Sequence, residues 1–444
     1  MTSSLTIWSI VFLAAMTQGM WLALFLLANP KGHRKANRWL ALLILAYSID
    51  IGLETLYSSS LIFAYPHFIG LNDALFFLYG PLLYLYAYFL CSPQIISSKK
   101  WLFHFLPFLL IVVFYVPTLF TQSAEFKLSS EGVLPLLSPP TSGVSGPSAL
   151  PSALPSALPN ALIDADFRGR IELASGFHEL VYFGLTLLLL KRHARKIKDS
   201  FSAIDRINLN WLRNLTLATG VIVTIDILLY FFVATQHLAF GNAVNLILFL
   251  CAALIYAIGY MGLMQPAIFS SDHRPAAAVQ PKNQTLLNDD NSAISARDES
   301  KAGESSNDES KNDESRGKYY KSTLTDDQAE QSLGQLLELM ETQKLYLQGD
   351  LTLPTVAEAL GLSTNNLSQI INDKLQQNFY DFVNAYRVEA AKKLIADPAN
   401  DNLTLLAIAY DAGFNSKSAF NSVFKKRCEM TPTQFKKSLS VKAA

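Results

Sequence analysis

The sequence predicts an all-α protein in which a bundle of seven transmembrane helices precedes a smaller, also helical, C-terminal domain. Two observations predict this class. Hydrophobic residues make up 50% of the 444 residues and charged residues only 16%, whereas about 25% of the residues of an average soluble protein are charged. The apolar residues also crowd residues 1–265, while charged and amide residues dominate the remainder. The formal net charge is +0, so the sum of charges indicates no class of partner.

Seven stretches of the N-terminal part are long and apolar enough to cross a bilayer, which takes about 20 residues of helix. They cover residues 5–28, 39–57, 68–91, 101–120, 171–190, 211–235 and 241–264. The alternative is a soluble protein with long buried helices. This alternative is a poor one, because a soluble protein would have to bury seven helices that are apolar on every side.

The basic residues of the short loops predict the orientation of this membrane domain, residues 1–266. The loops after the first, third and fifth stretches carry Lys and Arg, whereas residues 58–67 and 236–240 carry none. Because positive loops stay on the cytoplasmic side, the N-terminus is expected outside and the C-terminal domain in the cytoplasm. The fourth loop, residues 121–170, is then an external, Pro-rich, low-complexity insertion.

Residues 267–332 are predicted to form a disordered acidic linker between two domains. Ser, Asn, Asp, Glu and Lys dominate this part of the chain, and apolar periodicity is almost absent from it. Helical periodicity returns afterwards without glycine-rich strand turns. Residues 333–444 are therefore expected to form a small soluble helical domain.

The first motif of that domain, residues 353–371, has the spacing of a helix-turn-helix. Ala357 is small where two helices would cross closely, and Gly361 permits a left-handed turn. Ser363 or Thr364 is expected to cap the second helix, whose polar side chains lie beside an apolar stripe.

A second version of the motif follows about fifty residues later, at residues 406–427. It repeats the small residue at Ala409, the turn glycine at Gly413 and a polar helix that begins at Ser416. Its turn is one residue longer. One such spacing is weak because any helical hairpin can imitate it, but two in tandem, followed by a run of lysines, predict DNA binding more strongly.

This region resembles the C-terminal DNA-binding domain of the AraC/XylS family of bacterial transcription regulators. The resemblance covers about residues 345–439 and is carried by Asn378, Phe379, Asn384, Ala385, Tyr386, Arg387, Ile408, Ala409, Gly413, Phe414, Ser416, Ser418, Phe420, Phe424, Lys425, Lys426, Thr431, Pro432 and Phe435. It implies that a helix at about 381–396 joins two modules, and that the recognition helix of each enters one of two successive major grooves. With the predicted spans, a bacterial regulator of this kind is expected in the inner membrane as a multi-pass protein.

The resemblance implies a set of DNA-binding side chains on the two recognition helices. They are Thr364, Asn365, Ser368 and Gln369 in the first helix, and Ser416, Lys417, Ser418, Asn421, Lys425 and Lys426 in the second. Lys425 and Lys426 are assigned to phosphates, which position a protein without reading sequence. Glu429 departs from the family pattern, which usually has glycine at this position as a helix C-cap.

Ionisable residues inside the predicted spans suggest a binding site, because such residues are costly in a bilayer. All six fall in the outer half of the predicted membrane domain: Asp50, Glu54, Asp73, His178, Glu179 and Asp226. A site for a proton or for a small, preferably cationic, ligand is one interpretation. Helix–helix hydrogen bonds and scattered interface residues are the other.

The leading hypothesis is a membrane-bound one-component transcription regulator whose partners are double-stranded DNA, the lipid bilayer and an unknown small ligand or proton. No cofactor and no metal site are expected, since the three cysteines are scattered. No catalytic motif was found either, so the chain is not expected to be an enzyme. The alternative is a membrane receptor or transporter-like protein whose helical tail binds a protein. The sequence leaves the oligomeric state open, a homodimer included.

Overall fold

The computed structural model describes residues 7–28, 33–59, 61–91, 99–121, 165–205, 207–236, 241–264 and 325–443, with Ser123 and Lys127 as isolated positions. Within these ranges every regular element is a helix, apart from an isolated antiparallel bridge between Phe201 and Thr352. The all-α class is therefore confirmed for this part of the chain. The predicted external loop and most of the predicted linker lie outside the described residues.

The chain divides into two compact units. The first contains residues 1–197 and 204–273, and the second contains residues 198–203 and 274–444. The predicted domain boundaries, at residues 266 and 332, remain a prediction.

Within the described residues, the first unit has seven long helical elements and three short 3₁₀ helices, Leu61–Phe63, Pro66–Phe68 and Asn72–Ala74, before the third long helix. The long elements are numbered in chain order. They are α1 (Ile7–Ala28), α2 (Arg34–Ser58), α3 (Phe76–Cys91), α4 (Lys99–Phe105, Leu106–Leu110, Ile111–Tyr115 and Val116–Thr121 in succession), α5 (Ala165–Ser200), α6 (Asn210–Gln236) and α7 (Gly241–Met264). Helix α2 packs against α1, α3 and α7, and α7 also packs against α6. Their common apolar core includes Leu43, Leu82, Phe183 and Ile258.

Helix α4 is irregular along its length. It begins as a 3₁₀ helix, becomes α-helical, passes through a π segment at Ile111–Tyr115 and returns to an α-helix. Pro117 lies two residues after the end of the π segment and has no backbone N–H to donate to the preceding turn. A missing hydrogen bond of this kind is a recognised cause of local changes in helix pitch.

Six helices of the described residues are long and apolar enough to cross a membrane, with spans of 21 to 32 residues. They correspond to the first six predicted stretches. Their surfaces carry large apolar side chains: Trp21, Phe103 and Phe114 are 70%, 74% and 69% exposed. Contiguous apolar surface is unfavourable in water and favourable against lipid. Helix α7 has 24 residues but is not among the six, so the count of seven spans remains a prediction.

The second unit contains a further set of capped helices. They are α8 (Asp326–Thr342), α9 (Leu353–Ala359), α10 (Thr364–Leu375), α11 (Phe379–Ala396), α12 (Leu405–Asp411), α13 (Lys417–Cys428) and α14 (Pro432–Ala443). Helix α8 begins with a capping box between Thr325 and Gln328, inside the stretch that the sequence assigns to the linker.

Two apolar clusters hold the second unit together. The first joins α8, α9 and α10 to the start of α11, through Leu336, Val356, Leu367 and Phe382. The second joins the rest of α11 to α12, α13 and α14 and includes Phe424. Helix α11 contributes to both clusters, so it is the structural connection between them. It begins at Phe379, two residues before the predicted start.

Candidate nucleic-acid interface

Helices α9 and α10 form the first helix pair, with residues 360–363 between them. Gly361 has a φ of +65° in this turn, which favours glycine. Ser363 is the cap, and its side chain accepts a hydrogen bond from the Asn366 N–H at 3.1 Å. Ala357 is buried where the two helices meet. The predicted small residue, turn glycine and cap are all confirmed.

Helices α12 and α13 form the second helix pair, with residues 412–416 between them. The turn is one residue longer than the first, as the sequence predicts. Gly413 has a φ of +89°, and a Cβ there would overlap the carbonyl oxygen of Tyr346. Ser416 caps α13 by accepting a hydrogen bond from the Ala419 N–H at 3.1 Å.

The predicted DNA-binding side chains lie on the surface of these two helices. Asn365 and Gln369 of α10 are exposed, and Thr364 and Ser368 beside them are half-buried. On α13 the exposed side chains are those of Lys417, Ser418, Asn421, Lys425 and Lys426. Ser416 is half-buried, because its hydroxyl is used as the cap of α13. Amide, hydroxyl and ammonium groups on such a surface can hydrogen-bond to base edges and phosphates.

Four lysines among the described residues of the unit are paired with carboxylates: Lys374, Lys392, Lys426 and Lys436. Two of them, Lys374 and Lys426, lie on α10 and α13. The Nζ of Lys426 lies 3.1 Å from Asp381 Oδ1 of α11, and the Nζ of Lys374 lies 2.7 Å from Asp326 Oδ1 of α8. The hydrogen bond to Asp326 raises the pKa of Lys374. These pairs are solvent-exposed and hence weak, so a phosphate can compete for either lysine. Neither of these two pairs could be predicted from the sequence, because each joins residues that are far apart in the chain.

Glu429 follows α13 and adopts the left-handed conformation that the family pattern reserves for glycine. Its φ is 58° and its ψ is 4°. Gln376 does the same after α10, with a φ of 53°. An L-residue in this conformation costs about 1–2 kcal/mol. Helix α13 therefore ends at the position that the family pattern predicts, but with Glu429 in place of the glycine that adopts this conformation at the lowest free-energy cost.

Arg387 is the largest fully buried side chain of the described residues. The sequence places it in the family pattern but predicts no function for it. Its Nε donates to the Tyr346 carbonyl at 2.8 Å and its Nη2 to the Gln348 carbonyl at 2.8 Å. Burial lowers the pKa of Arg387 to about 10, which leaves it charged at neutral pH. The guanidinium also lies 6.0 Å from the ring centroid of Phe414. Arg387 thereby connects α11 with the turns on both sides of it.

A second set of predicted residues lies in the first unit. The carboxyl group of Asp50 is close enough to interact electrostatically with those of Glu54, Asp73 and Glu179, and Glu179 interacts in the same way with Asp226. Asp50, Asp73 and Glu179 are buried, each 7% exposed. Five of the six predicted ionisable residues thus form one acidic cluster.

Tyrosines accompany this cluster. The Tyr115 hydroxyl donates to Asp73 Oδ2 at 2.6 Å, and the Tyr47 hydroxyl donates to Glu179 Oε1 at 3.3 Å. The sixth predicted residue, His178, packs against the rings of Phe77 and Tyr182, with no hydrogen-bond partner for its ring nitrogens among the described residues. The acids could be predicted as a site because ionisable residues are costly in a bilayer. Tyrosines carry no such cost, so their part in the cluster could not be predicted.

Comparisons with known proteins agree with the geometry of the second unit. Residues 356–438 match the family model described as "Helix-turn-helix domain". The chain contains an AraC-type helix-turn-helix domain. No solved structure matches the chain.

The similar curated proteins share this region of the chain. An uncharacterized HTH-type transcriptional regulator in the cgkA 5′ region of Pseudoalteromonas carrageenovora is 29% identical over 106 residues, which are 23% of this chain and 61% of that protein. An uncharacterized HTH-type transcriptional regulator of Staphylococcus aureus (strain COL) is 30% identical over 116 residues, which are 26% of this chain and 14% of that protein. The match thus covers a small part of the Staphylococcus protein and less than two thirds of the Pseudoalteromonas protein. Both names describe those proteins as regulators of transcription of the helix-turn-helix type.

Proposed function

We propose that the chain is a membrane-bound one-component transcription regulator, in which the helix-turn-helix domain binds promoter DNA under the control of a signal sensed by the membrane helices. The observation that carries the proposal is the pairing of two capped helices, α10 and α13, each with an exposed polar or basic face and each anchored in its own apolar cluster. The family match and the names of the relatives support it.

The two helix pairs act as two helix-turn-helix modules on one face of a duplex. Helix α11 connects them and has 18 residues, which corresponds to about 27 Å of helix. Successive major grooves on one face are about 34 Å apart. A separation of this order allows α10 and α13 to enter neighbouring grooves, so that one chain covers a bipartite site.

The two modules contribute differently to binding. Helix α10 has no exposed Lys or Arg before Lys374, and it reads DNA through Asn365 and Gln369, whose amides suit adenine. Helix α13 carries Lys417 and Lys425, which contribute most of the electrostatic affinity.

The membrane part forms a seven-span sensor with its N-terminus outside and the helix-turn-helix domain in the cytoplasm. The alternation of basic and uncharged loops supports this orientation, and the length of α7 supports a seventh span. The acidic cluster around Asp50 and Glu179 is the proposed site for a proton or a small cationic ligand. Its burial supports that role, because buried acids without a bound cation are costly in a bilayer.

Selection from a pool of random DNA duplexes by the full chain in lipid nanodiscs tests DNA binding directly. We expect enrichment of a bipartite motif whose halves lie about 10–10.5 base pairs apart, and affinity that falls steeply as salt is raised. Gln369→Ala should relax sequence preference in one half and Asn421→Ala in the other. Glu358→Ala is the matched control, since Glu358 is exposed on α9, outside the proposed reading face.

A failure to enrich any sequence, together with no binding at low salt, would contradict the proposal. It would favour the alternative, in which the helical tail binds a protein partner.

The sensor site is tested with the proton as probe. DNA affinity of the full chain in nanodiscs is measured from acidic to alkaline pH for Glu179→Gln and for the control Asp205→Asn, an exposed acid between α5 and α6. We expect the variant in the cluster to change the pH profile and the control to leave it unchanged. Identical profiles for Glu179→Gln and the unmodified chain would exclude a role for this acid in proton sensing.

A further inference from the structure

Residues 198–203, which are the last three residues of α5 and the three that follow, belong to the second compact unit, although the residues on either side of them in sequence belong to the first. Phe201 forms an antiparallel bridge with Thr352, the cap of α9. The backbone N–H of Ser202 donates to the Leu351 carbonyl at 3.1 Å, and the Ser202 hydroxyl donates to the same oxygen at 2.6 Å. The segment therefore pairs with the residues that begin the helix-turn-helix domain.

Ser202 also supplies acceptors to two buried side chains of α11. Its carbonyl oxygen accepts from Asn384 Nδ2 at 3.1 Å and from Arg387 Nη1 at 3.1 Å. Its hydroxyl oxygen accepts from Arg387 Nη2 at 3.0 Å. Ser202, Asn384 and Arg387 are 1%, 2% and 1% exposed, so these bonds are shielded from water. A buried guanidinium needs such acceptors, because an unpaired buried charge is strongly destabilising.

Arg387 is at the junction of the two helix pairs. Besides Ser202, it holds the Tyr346–Gly349 turn, and the Gly349 carbonyl accepts from Asn415 Nδ2 of the second turn at 2.8 Å. The close approach of Gly413 to Tyr346 adds a second contact between the same turns. A residue that completes the bonding of Arg387 therefore stabilises the arrangement of both pairs.

We propose that residues 198–203 are an intramolecular docking segment, which binds the Asn384–Arg387 site through Ser202 and holds the two helix pairs in the arrangement that binds DNA. This rests on the proposed function and adds its route of regulation. The segment begins in the last turn of α5, so a movement of that helix reaches Ser202 through the chain itself. Withdrawal of Ser202 removes two acceptors from Arg387, loosens the junction and lowers the affinity for DNA, since a preorganised site binds more tightly.

Disulfide trapping tests the docking in the full chain. Residues opposite one another across an antiparallel bridge have Cα atoms about 4.5–5.5 Å apart, within the range of about 4.4–6.8 Å that a disulfide allows. In a background without the native cysteines, Phe201→Cys with Thr352→Cys should cross-link on mild oxidation in nanodiscs. Phe201→Cys with Glu358→Cys is the control, because Glu358 is exposed and almost two turns further along α9. Equal cross-linking of the two pairs would overturn the docking.

The effect on DNA is measured with the same protein, oxidised and reduced, on random duplex DNA at low salt. We expect tighter binding in the oxidised, docked state. In the chain with native cysteines, Ser202→Ala should weaken binding by up to about ten-fold, because it removes the hydroxyl that accepts a hydrogen bond from the buried charged Arg387 and donates one to the Leu351 carbonyl. The matched control is Ser200→Ala, two residues earlier in the same segment, which should bind as the unmodified chain does.

The outcomes separate this proposal from the proposed function. Equal affinity of the oxidised and reduced protein would overturn the regulatory role of the segment. Efficient cross-linking with no DNA binding in either state would support the docking and contradict DNA binding instead.

Discussion

Glu429 gives a sharp test of how the proposed second recognition helix is built, because the preferred residue at its position is glycine. The perturbation is Glu429→Gly at the end of α13. Its left-handed conformation, with a φ of 58°, costs about 1–2 kcal/mol for an L-residue and almost nothing for glycine. Its negative charge also opposes the helix dipole, at a cost of about 0.3–1 kcal/mol. Glycine in turn adds about 0.4–1 kcal/mol of unfolded-state entropy, which acts against the variant.

The balance predicts that Glu429→Gly raises the free energy of unfolding by about 1 kcal/mol. Gln376→Gly is the matched comparison, since Gln376 ends α10 with a φ of 53° and carries no charge. Its gain should be about half as large, because the dipole contributes nothing there.

Urea unfolding of the second unit, within the full chain in lipid nanodiscs, measures the two gains, because this unit contains both apolar clusters and residues 198–203. We expect a higher midpoint at unchanged slope for both variants. A lower midpoint for Glu429→Gly would refute the reasoning, and equal gains for the two variants would show that the charge of Glu429 has no effect on the helix.

Three further predictions concern charges and hydrogen bonds. Lys425→Ala should weaken binding to every DNA sequence and reduce the slope of log affinity against log salt by about 1. Asp381→Asn frees Lys426 from its ion pair and should therefore steepen that slope. Unchanged slopes would contradict the assignment of these lysines to phosphates. Arg387→Leu should lower the free energy of unfolding of the full chain by about 3 kcal/mol or more in denaturant titration, because several carbonyls and Ser202 lose a buried charged donor. Tyr115→Phe should destabilise the membrane part by about 1 kcal/mol in a detergent unfolding assay, through loss of the 2.6 Å bond to Asp73, and no loss would mean that water replaces the hydroxyl.

Local signals in the sequence were sufficient for much of the helix-turn-helix domain. Ser363 and Ser416 cap helices, and Gly361 and Gly413 turn the chain, by interactions within a few residues of themselves. Such interactions depend on residue type and spacing, both of which are visible in the sequence. The capping-box pattern from Thr325 to Gln328 is equally visible in the sequence. It indicates that a helix begins near residue 325, before the predicted start of the last domain at residue 333.

Contacts between distant residues could not be predicted in this way. Ser202 and Arg387 are separated by 185 positions, and neither residue type demands the other. The same holds for Lys426 with Asp381 and for Tyr115 with Asp73. The acids of the first unit could be predicted only because an ionisable residue is unusual in a predicted membrane span, whereas a tyrosine there is ordinary.

The charge distribution of the helix-turn-helix domain explains why the docking of Ser202 would matter for binding. Residues 333–444 hold 12 basic and 11 acidic residues, and 7 of the basic ones lie from Lys417 onward. Binding by the first module alone is therefore expected to be weak, because little positive charge attracts it to phosphate. Its contribution depends on being held at a high effective concentration by the second module, and that concentration falls when the connection between the modules loosens. Under the proposed function, control of the junction at Arg387 would therefore act mainly on the first module, because most of the affinity of that module depends on its connection to the second.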